Sequence, residues 1–164
     1  MKLEIEDVHL GPQEIDLSKP CDFICDIDGT IADLTHRRHW VANKPKNWAA
    51  FEKTMDEDKP IWSVISKVYS LFDYGFSVVF CSGRGDQQRQ VTEDWLASHR
   101  LPSSTLYMRK EGDYRADSII KSELYDQILV DGFNPQFVLD DRNQVVDMWR
   151  SRGLHCIQVA HGDF

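Results

Sequence analysis

The stretch FICDIDGTIAD (Phe23–Asp33) places Asp26 and Asp28 two positions apart, at the end of an apolar run and just ahead of Gly29-Thr30. Neighbouring like charges raise each other's pKa and cost stability. A chain that keeps such a pair either compensates it with positive charge or uses the strain. Three further groups sit in comparable places. Ser82-Gly83-Arg84 closes a second apolar run, Asp140-Asp141 closes a third, and Lys121 lies in the first turns of a helical pattern that opens near Asp117. Each has a plain structural reading. Asp86, Asp117 and Asp141 fit helix N-caps. Ser82-Gly83 fits a turn. Lys121 fits a solvated helix residue, although the first turn is the wrong end for a cation. Their convergence argues for a site: acidic groups, a serine and a lysine all fall at the ends of predicted strands.

The chemistry this set supports is phosphoryl transfer. Carboxylate oxygens gathered around one point suit a hard cation, with Mg²⁺ the natural occupant. Such a cation would offset the repulsion between Asp26 and Asp28. One aspartate can attack phosphorus and form an aspartyl phosphate. The other can protonate the leaving oxygen and later activate water. Ser82 and backbone N–H groups near Gly29 and Gly83 can hold phosphoryl oxygens, while Lys121 neutralises charge on the same group.

These residues need strands that end together. Short apolar runs at 22–27, 77–82, 136–140 and 154–159, with a weaker one at 105–108, read as strands buried on both faces. Helical patterns lie between them. Ile61, Val64, Ile65, Val68, Leu71 and Phe72 keep one face, bounded by Pro60 and Gly75. Further patterns span 86–98, 118–130 and 142–151, the last closed by Gly153. Strands alternating with helices predict an α/β doubly wound parallel sheet, in which ligands bind beyond the carboxyl ends of the strands.

Composition bounds the rest. With 164 residues and 41% hydrophobic content, the chain is expected to form one globular domain over 1–164. No apolar run is long enough to cross a bilayer, and the acidic start MKLEIEDVHL is not a signal peptide. Cys21, Cys25, Cys81 and Cys156 form no CxxC pair and read as buried thiols of a cytoplasmic protein. A net charge of −8 argues against broad non-specific nucleic-acid binding, so any such contact must use a local basic patch.

The order DxDGT, a strand ending in Ser-Gly, then Lys, then Asp-Asp resembles the haloacid dehalogenase-type phosphohydrolases. That resemblance implies a Rossmann-like fold, Asp26 as nucleophile and Asp28 as general acid/base. It also implies that Ser82 and Lys121 bind the phosphoryl group, and that Asp26, Asp28 (through its carbonyl), Asp140 and Asp141 surround Mg²⁺. A closer resemblance spans most of the chain. Ser82–Arg84, GDYRADSIIK (112–121), VLDDRNQVVDMWR (138–150) and CIQVAHGDF (156–164) are similar to the phosphatase half of phage polynucleotide kinase/3′-phosphatases. By that likeness Arg37, Arg84 and Asp117 contact the substrate, a nucleic-acid 3′ end. Solvated surface charge is the plain alternative for the two arginines, and an N-cap for Asp117. The bifunctional relatives' kinase half needs a GxxxxGK[ST] loop, which this chain lacks, so kinase activity is expected to be absent.

The insert at 33–59 is expected to form a small helical cap. Trp40, Trp48 and Phe51 either pack it on the body or offer a stacking surface for a base. His36, Arg37, Arg38 and His39 make a basic cluster that Arg109, Lys110 and Arg115 could extend. Three functions fit: a Mg²⁺-dependent polynucleotide 3′-phosphatase acting on DNA or RNA ends, a phosphatase of nucleotides or small phosphoesters with the same catalytic residues, and an aspartate phospho-acceptor signalling module. Asp28 speaks against the third, because an acid poised beside the acceptor promotes turnover. Residues 1–20 read only as an edge strand or hairpin, and oligomeric state is not legible.

Overall fold

The computed structural model describes residues 21–102 and 105–162; the edge strand or hairpin expected in 1–20 lies outside the described residues. In chain order the elements are β1 (Cys21–Cys25), β2 (Ala32–Asp33), α1 (His39–Ala42), α2 (Trp48–Lys53), β3 (Lys59–Pro60) and α3 (Trp62–Asp73). They continue with β4 (Phe76–Gly85), α4 (Arg89–Ser98), β5 (Leu106–Arg109), α5 (Asp117–Val130), β6 (Pro135–Arg142), α6 (Asn143–Ser151) and β7 (His155–Gly162). The five long runs read from sequence as strands are β1, β4, β5, β6 and β7. They form one sheet in the order β5-β4-β1-β6-β7, and every pairing is parallel. The fold is the expected α/β, doubly wound parallel sheet.

The apolar runs are continuous because helices cover both faces. Phe23, Val78 and Phe80 pack with Ile65 and Val68 of α3 and with Trp95 and Leu96 of α4. Ile24, Val79 and Val138 point the other way, into Tyr125 and Ile128 of α5 and Val145, Val146 and Trp149 of α6. Each such side chain contributes about 1.5–3 kcal/mol on full burial. The central strand β1 is buried along its whole length.

Ladder irregularities fall where the chemistry-bearing residues begin. The β4–β5 register shifts between Ser82 and Gly85, and the β6–β7 register shifts between Asp140 and Arg142. Such bulges re-aim side chains at a sheet rim. β1 ends at Cys25, yet the Asp26 N–H still donates to the Leu139 carbonyl (2.9 Å), so Asp26 stays fixed to the sheet. A tight turn follows, in which the Ile27 carbonyl accepts from the N–H groups of Ile31 (3.0 Å) and Ala32 (2.9 Å). Its stem is the antiparallel β2–β3 pair, which matches Ala32 with Pro60 and Asp33 with Lys59. The insert with α1 and α2 springs from this stem.

Candidate active site

Lys121, Asp26 and Asp140 form the buried centre. Lys121 Nζ donates to Asp26 Oδ1 at 2.6 Å and to Asp140 Oδ2 at 2.9 Å. The aliphatic stem of Lys121 descends from the second turn of α5, which explains a cation near the wrong end of a helix: it serves the strand ends, not the helix. Oxygens of Asp26, Asp140 and Asp141 lie within 4.8 Å of one another. Three carboxylates against one ammonium leave an excess of negative charge. Their hard oxygen donors fit a divalent cation such as Mg²⁺. Without one, burial pushes the Asp26 carboxyl well above the usual carboxylate range; Lys121 opposes this, and Asp140 and Asp141 add to the rise. Burial, with the neighbouring Asp140, lifts Asp141 to about 6.

Two residues that sequence reasoning did not single out complete this half. Thr30 Oγ1 donates to Asp26 Oδ2 at 3.0 Å and reaches Asp141 Oδ1 at 3.4 Å. Trp149 Nε1 donates to Asp140 Oδ2 at 3.1 Å. Its apolar helix position gave no hint of that polar task. Gly29 has φ +86°, and a Cβ there would overlap the Asp141 carboxylate, so the position demands glycine. Its own N–H donates to the Ala32 carbonyl (2.9 Å), which ties up the donor expected to face a phosphoryl oxygen.

The Asp28 carboxylate belongs to a separate cluster, in which two arginines face it. Arg84 Nε and Nη2 reach Asp28 at 3.1 and 2.6 Å, and Arg37 Nη2 donates to it at 2.9 Å. Burial alone would raise the Asp28 carboxyl, but the charge and hydrogen bonds of Arg84, with Arg37 behind it, hold it below the ordinary value. The Asp28 carboxylate therefore stands apart from the three-carboxylate group.

Both guanidiniums are buried, so neither is the solvated surface charge that was the alternative reading. A fully buried acid, Asp58, balances them. It accepts from Arg37 Nε and Nη2 (both 2.6 Å), Arg84 Nη2 (2.8 Å) and His36 Nε2 (2.9 Å). Sequence reading missed Asp58 because it sits in the acidic run Asp56-Glu57-Asp58, which looks like solvated surface. The one available signal was its place directly before β3, the strand that returns the insert to the body.

The remaining predicted residues sit at the ends of the neighbouring strand and helix. Ser82 is fully buried, and its Oγ accepts from the Arg84 N–H at 3.2 Å. Asp117 opens α5, but its carboxylate makes no cap bond; it accepts from Arg109 Nη2 (3.0 Å) and meets Arg142 Nη1 (3.5 Å). The Asp117 carboxylate also fills the space a Cβ would need at Gly83. Arg109 does not extend a basic patch as expected. It ties the loop together through the carbonyls of Gly83, Asp113 and Arg115, while Arg115 pairs with Asp113 and Glu123. The four cysteines are free and buried, and no helix among the described residues is long and apolar enough to cross a membrane.

A parallel sheet whose central strand delivers Asp26, with Ser82, Lys121 and an aspartate pair on the neighbouring strands and helix, defines a haloacid dehalogenase-type phosphohydrolase. Residues 20–164 match the family described as the polynucleotide kinase PNKP phosphatase domain, and the chain belongs to it. It is similar to a chain in the structure of the Pnkp1/Rnl/Hen1 RNA repair complex, at 37% identity and a TM-score of 0.79, over 97% of this chain and 48% of that one. It is 30% identical over 133 residues to a protein named as a bifunctional polynucleotide kinase/RNA ligase of Autographa californica nuclear polyhedrosis virus. That match covers 80% of this chain and 18% of the viral protein. The class C acid phosphatase of Bacillus anthracis shares the fold, with a TM-score of 0.65 at 14% identity over 89% of this chain and 68% of that one. The chain thus spans about half or less of the polynucleotide-processing relatives it matches.

Proposed function

We propose that the chain is a Mg²⁺-dependent polynucleotide 3′-phosphatase that works through a phosphorylated Asp26. The observation that carries this reading is the division of charge at the strand ends. Asp26 lies with Lys121 and two further carboxylates, while Asp28, two residues on, lies with two arginines. One aspartate can then act on phosphorus and the other on protons. Asp26 Oδ attacks phosphorus, and the bond from phosphorus to the 3′-oxygen breaks. Asp28 delivers a proton to that oxygen. It then takes a proton from the water that attacks the aspartyl phosphate, releasing phosphate and restoring Asp26. Lys121 balances charge beside the nucleophile, and Ser82 stands at the next strand end to hold a phosphoryl oxygen. Mg²⁺, held by Asp26, Asp140, Asp141 and the Asp28 carbonyl, would supply charge neutralisation of the phosphoryl oxygens.

The resting charge of Asp28 suits its second task, taking a proton from water. For the first task the proton can arrive with the substrate, because a phosphomonoester has a second pKa of about 6. The choice of nucleic-acid 3′ ends rests on family membership and on Arg37, Arg84 and Asp117 as contacts on the substrate side. The chain contains no phosphate-binding kinase loop of the GxxxxGK[ST] form, so it is proposed to act as a phosphatase without kinase activity.

The test is phosphate release from a 3′-phosphorylated oligonucleotide, its 5′-phosphorylated counterpart and nucleoside 3′- and 5′-monophosphates, with Mg²⁺ or EDTA. The 3′-phosphorylated oligonucleotide should lead by ten-fold or more in kcat/KM. Asp26→Asn should lose about 10⁴-fold or more in kcat while keeping the wild-type circular dichroism. Near-wild-type turnover in that variant would remove Asp26 as nucleophile. A lead by mononucleotides would make the chain a nucleotide phosphatase with the same catalytic residues.

A further inference from the structure

The insert between β2 and β3 presents aromatic residues that the fold does not use. The helices α1 and α2 contain no buried residue. Trp40 and Trp48 are 41% and 52% exposed, so they are not the pegs that fasten the insert to the body. That fastening is done by Arg37, whose guanidinium is fully buried against Asp58 and Asp28, by the stacking of Arg37 Cζ over the Phe51 ring (4.1 Å), and by the β2–β3 stem. The Trp48 ring meets Phe51 edge-on at 5.8 Å, and Lys46 Nζ stands 5.3 Å from the Trp48 ring centre. The exposed aromatic surface thus adjoins, through Phe51, the guanidinium that holds Asp28.

Charge points to the occupant. From Leu34 to Phe51 the chain carries Arg37, Arg38, Lys44 and Lys46 with His36 and His39, and no Asp or Glu at all. The whole chain has net charge −8, so this is a local reversal of sign. Arg38, His39, Lys44 and Lys46 are all exposed beside the two tryptophans. Flat π-faces interleaved with cations, next to a phosphate-processing site, are what a single-stranded nucleic acid recognises: the rings take bases and the cations take backbone phosphates.

We propose that the α1–α2 insert is a single-strand platform, on which nucleotides 5′ of the scissile 3′-phosphate stack against Trp48 and Trp40 while Lys44 and Lys46 meet their phosphates. The inference deepens the 3′-phosphatase reading and rests on it for the direction of the strand. It gives the reaction a preference for oligomers over mononucleotides, because only an oligomer reaches the platform.

The decisive measurement is binding, which does not depend on turnover: fluorescence anisotropy of a labelled ten-nucleotide oligothymidylate with a 3′-hydroxyl. Trp48→Ala should weaken binding by about 5- to 150-fold, the stacking contribution of one base on one ring, and Trp48→Phe should recover most of it. Trp62→Ala, which removes an equally exposed tryptophan (57%) at the start of α3, should leave binding at the wild-type level. Lys44→Ala/Lys46→Ala should flatten the slope of log K against log salt by about 0.7 for each phosphate no longer neutralised. In turnover, Trp48→Ala should lower the ratio of kcat/KM for a 3′-phosphorylated ten-mer to that for p-nitrophenyl phosphate by a similar factor. Binding changed less than two-fold in both Trp48→Ala and Trp40→Ala would overturn the platform, as would an equal loss in Trp62→Ala. Failure of the 3′-phosphatase reading would show separately, as a wild-type protein that binds the oligonucleotide but releases no phosphate from its 3′ end.

Discussion

Asp58 is the most exacting test of the site's electrostatics, because two buried guanidiniums depend on it. Its carboxylate takes three short charge-assisted hydrogen bonds, from Arg37 Nε and Nη2 (both 2.6 Å) and from Arg84 Nη2 (2.8 Å), and all three residues are buried. Truncation to alanine leaves two cations facing Asp28 alone. Removing one partner of a buried ion pair costs about 3–5 kcal/mol. Both arginines keep a bond to Asp28, and Arg37 also reaches the Phe51 carbonyl, so the lower end applies, about 3 kcal/mol. For a chain of this size that is a fall in Tm of about 6–12 °C. The Trp95 indole is not part of the loss, since it donates to the Asp58 backbone carbonyl (2.8 Å). Asp58→Asn, which keeps an acceptor of the same shape, should cost less. A double-mutant cycle with Arg84→Gln should return a coupling of about 0.5–3 kcal/mol. Thermal denaturation followed by circular dichroism provides the assay. A fall of less than about 2 °C for Asp58→Ala, with an unchanged native spectrum, would refute the claim that Asp58 balances buried charge.

Two further outcomes follow from the carboxylate side. In EDTA, Tm should decline as pH rises from 5 to 8. Asp26 and Asp141 are raised in the folded state, Asp141 to about 6, against about 3.9 for an unfolded aspartate. The folded state therefore binds more protons above about pH 4, and stability drops as pH rises through the raised values, about 6 for Asp141. Asp28 is lowered and has the opposite sign, stabilising above about pH 4 and losing that contribution only as pH falls through its depressed value. Mg²⁺ should shrink the decline, whereas a calorimetric Tm that climbs from pH 5 to 8 in EDTA would contradict the raised carboxyls. Trp149→Phe keeps the packing on α6 but removes the indole donor to Asp140. It should cost about 1–3 kcal/mol and reduce Mg²⁺ affinity or activity by about 10–100-fold, read from a Mg²⁺ titration of phosphate release.

Much of the architecture was legible because its signals are local. Unbroken apolar runs such as those at Val78–Cys81 and Val138–Leu139 occur where both faces of a sheet are covered, and Ile61–Phe72 keeps helical spacing between Pro60 and Gly75. Asp26 and the Asp140-Asp141 pair were legible as candidate site residues because each sits at the end of such a run. What the sequence hid was partnership across distance. Nothing local links Asp58 to Arg84, 26 positions away, or Trp149 to Asp140 across the turn between β6 and α6. Arg37 illustrates the limit. Its position after Asp28 marked it as a site residue, but a cluster of His36, Arg37, Arg38 and His39 gives no reason to bury one member completely and expose Arg38 and His39.

The two aspartates of the opening motif do not share a fate. Alternation along an extended chain sends positions 26 and 28 to the same side, and the turn anchored on Ile27 then diverts the second one. Asp26 stays on the sheet beside Asp140, Asp141 and Lys121, in a cluster with excess negative charge, and its carboxyl rises. Asp28 is carried to Arg37 and Arg84, in a cluster balanced by Asp58, and its carboxyl falls. These tendencies run opposite to the roles proposed for the two residues, Asp26 as nucleophile and Asp28 as proton donor. A divalent cation beside Asp26 favours its ionised, nucleophilic form, since a bound metal inverts the local pKa logic. In the proposed reaction a phosphomonoester would compete for the arginines paired with Asp28, and would bring the proton that Asp28 is proposed to deliver. A divalent cation beside Asp26 and a phosphomonoester beside Arg37 and Arg84, as proposed for this site, would each reverse one of these two tendencies.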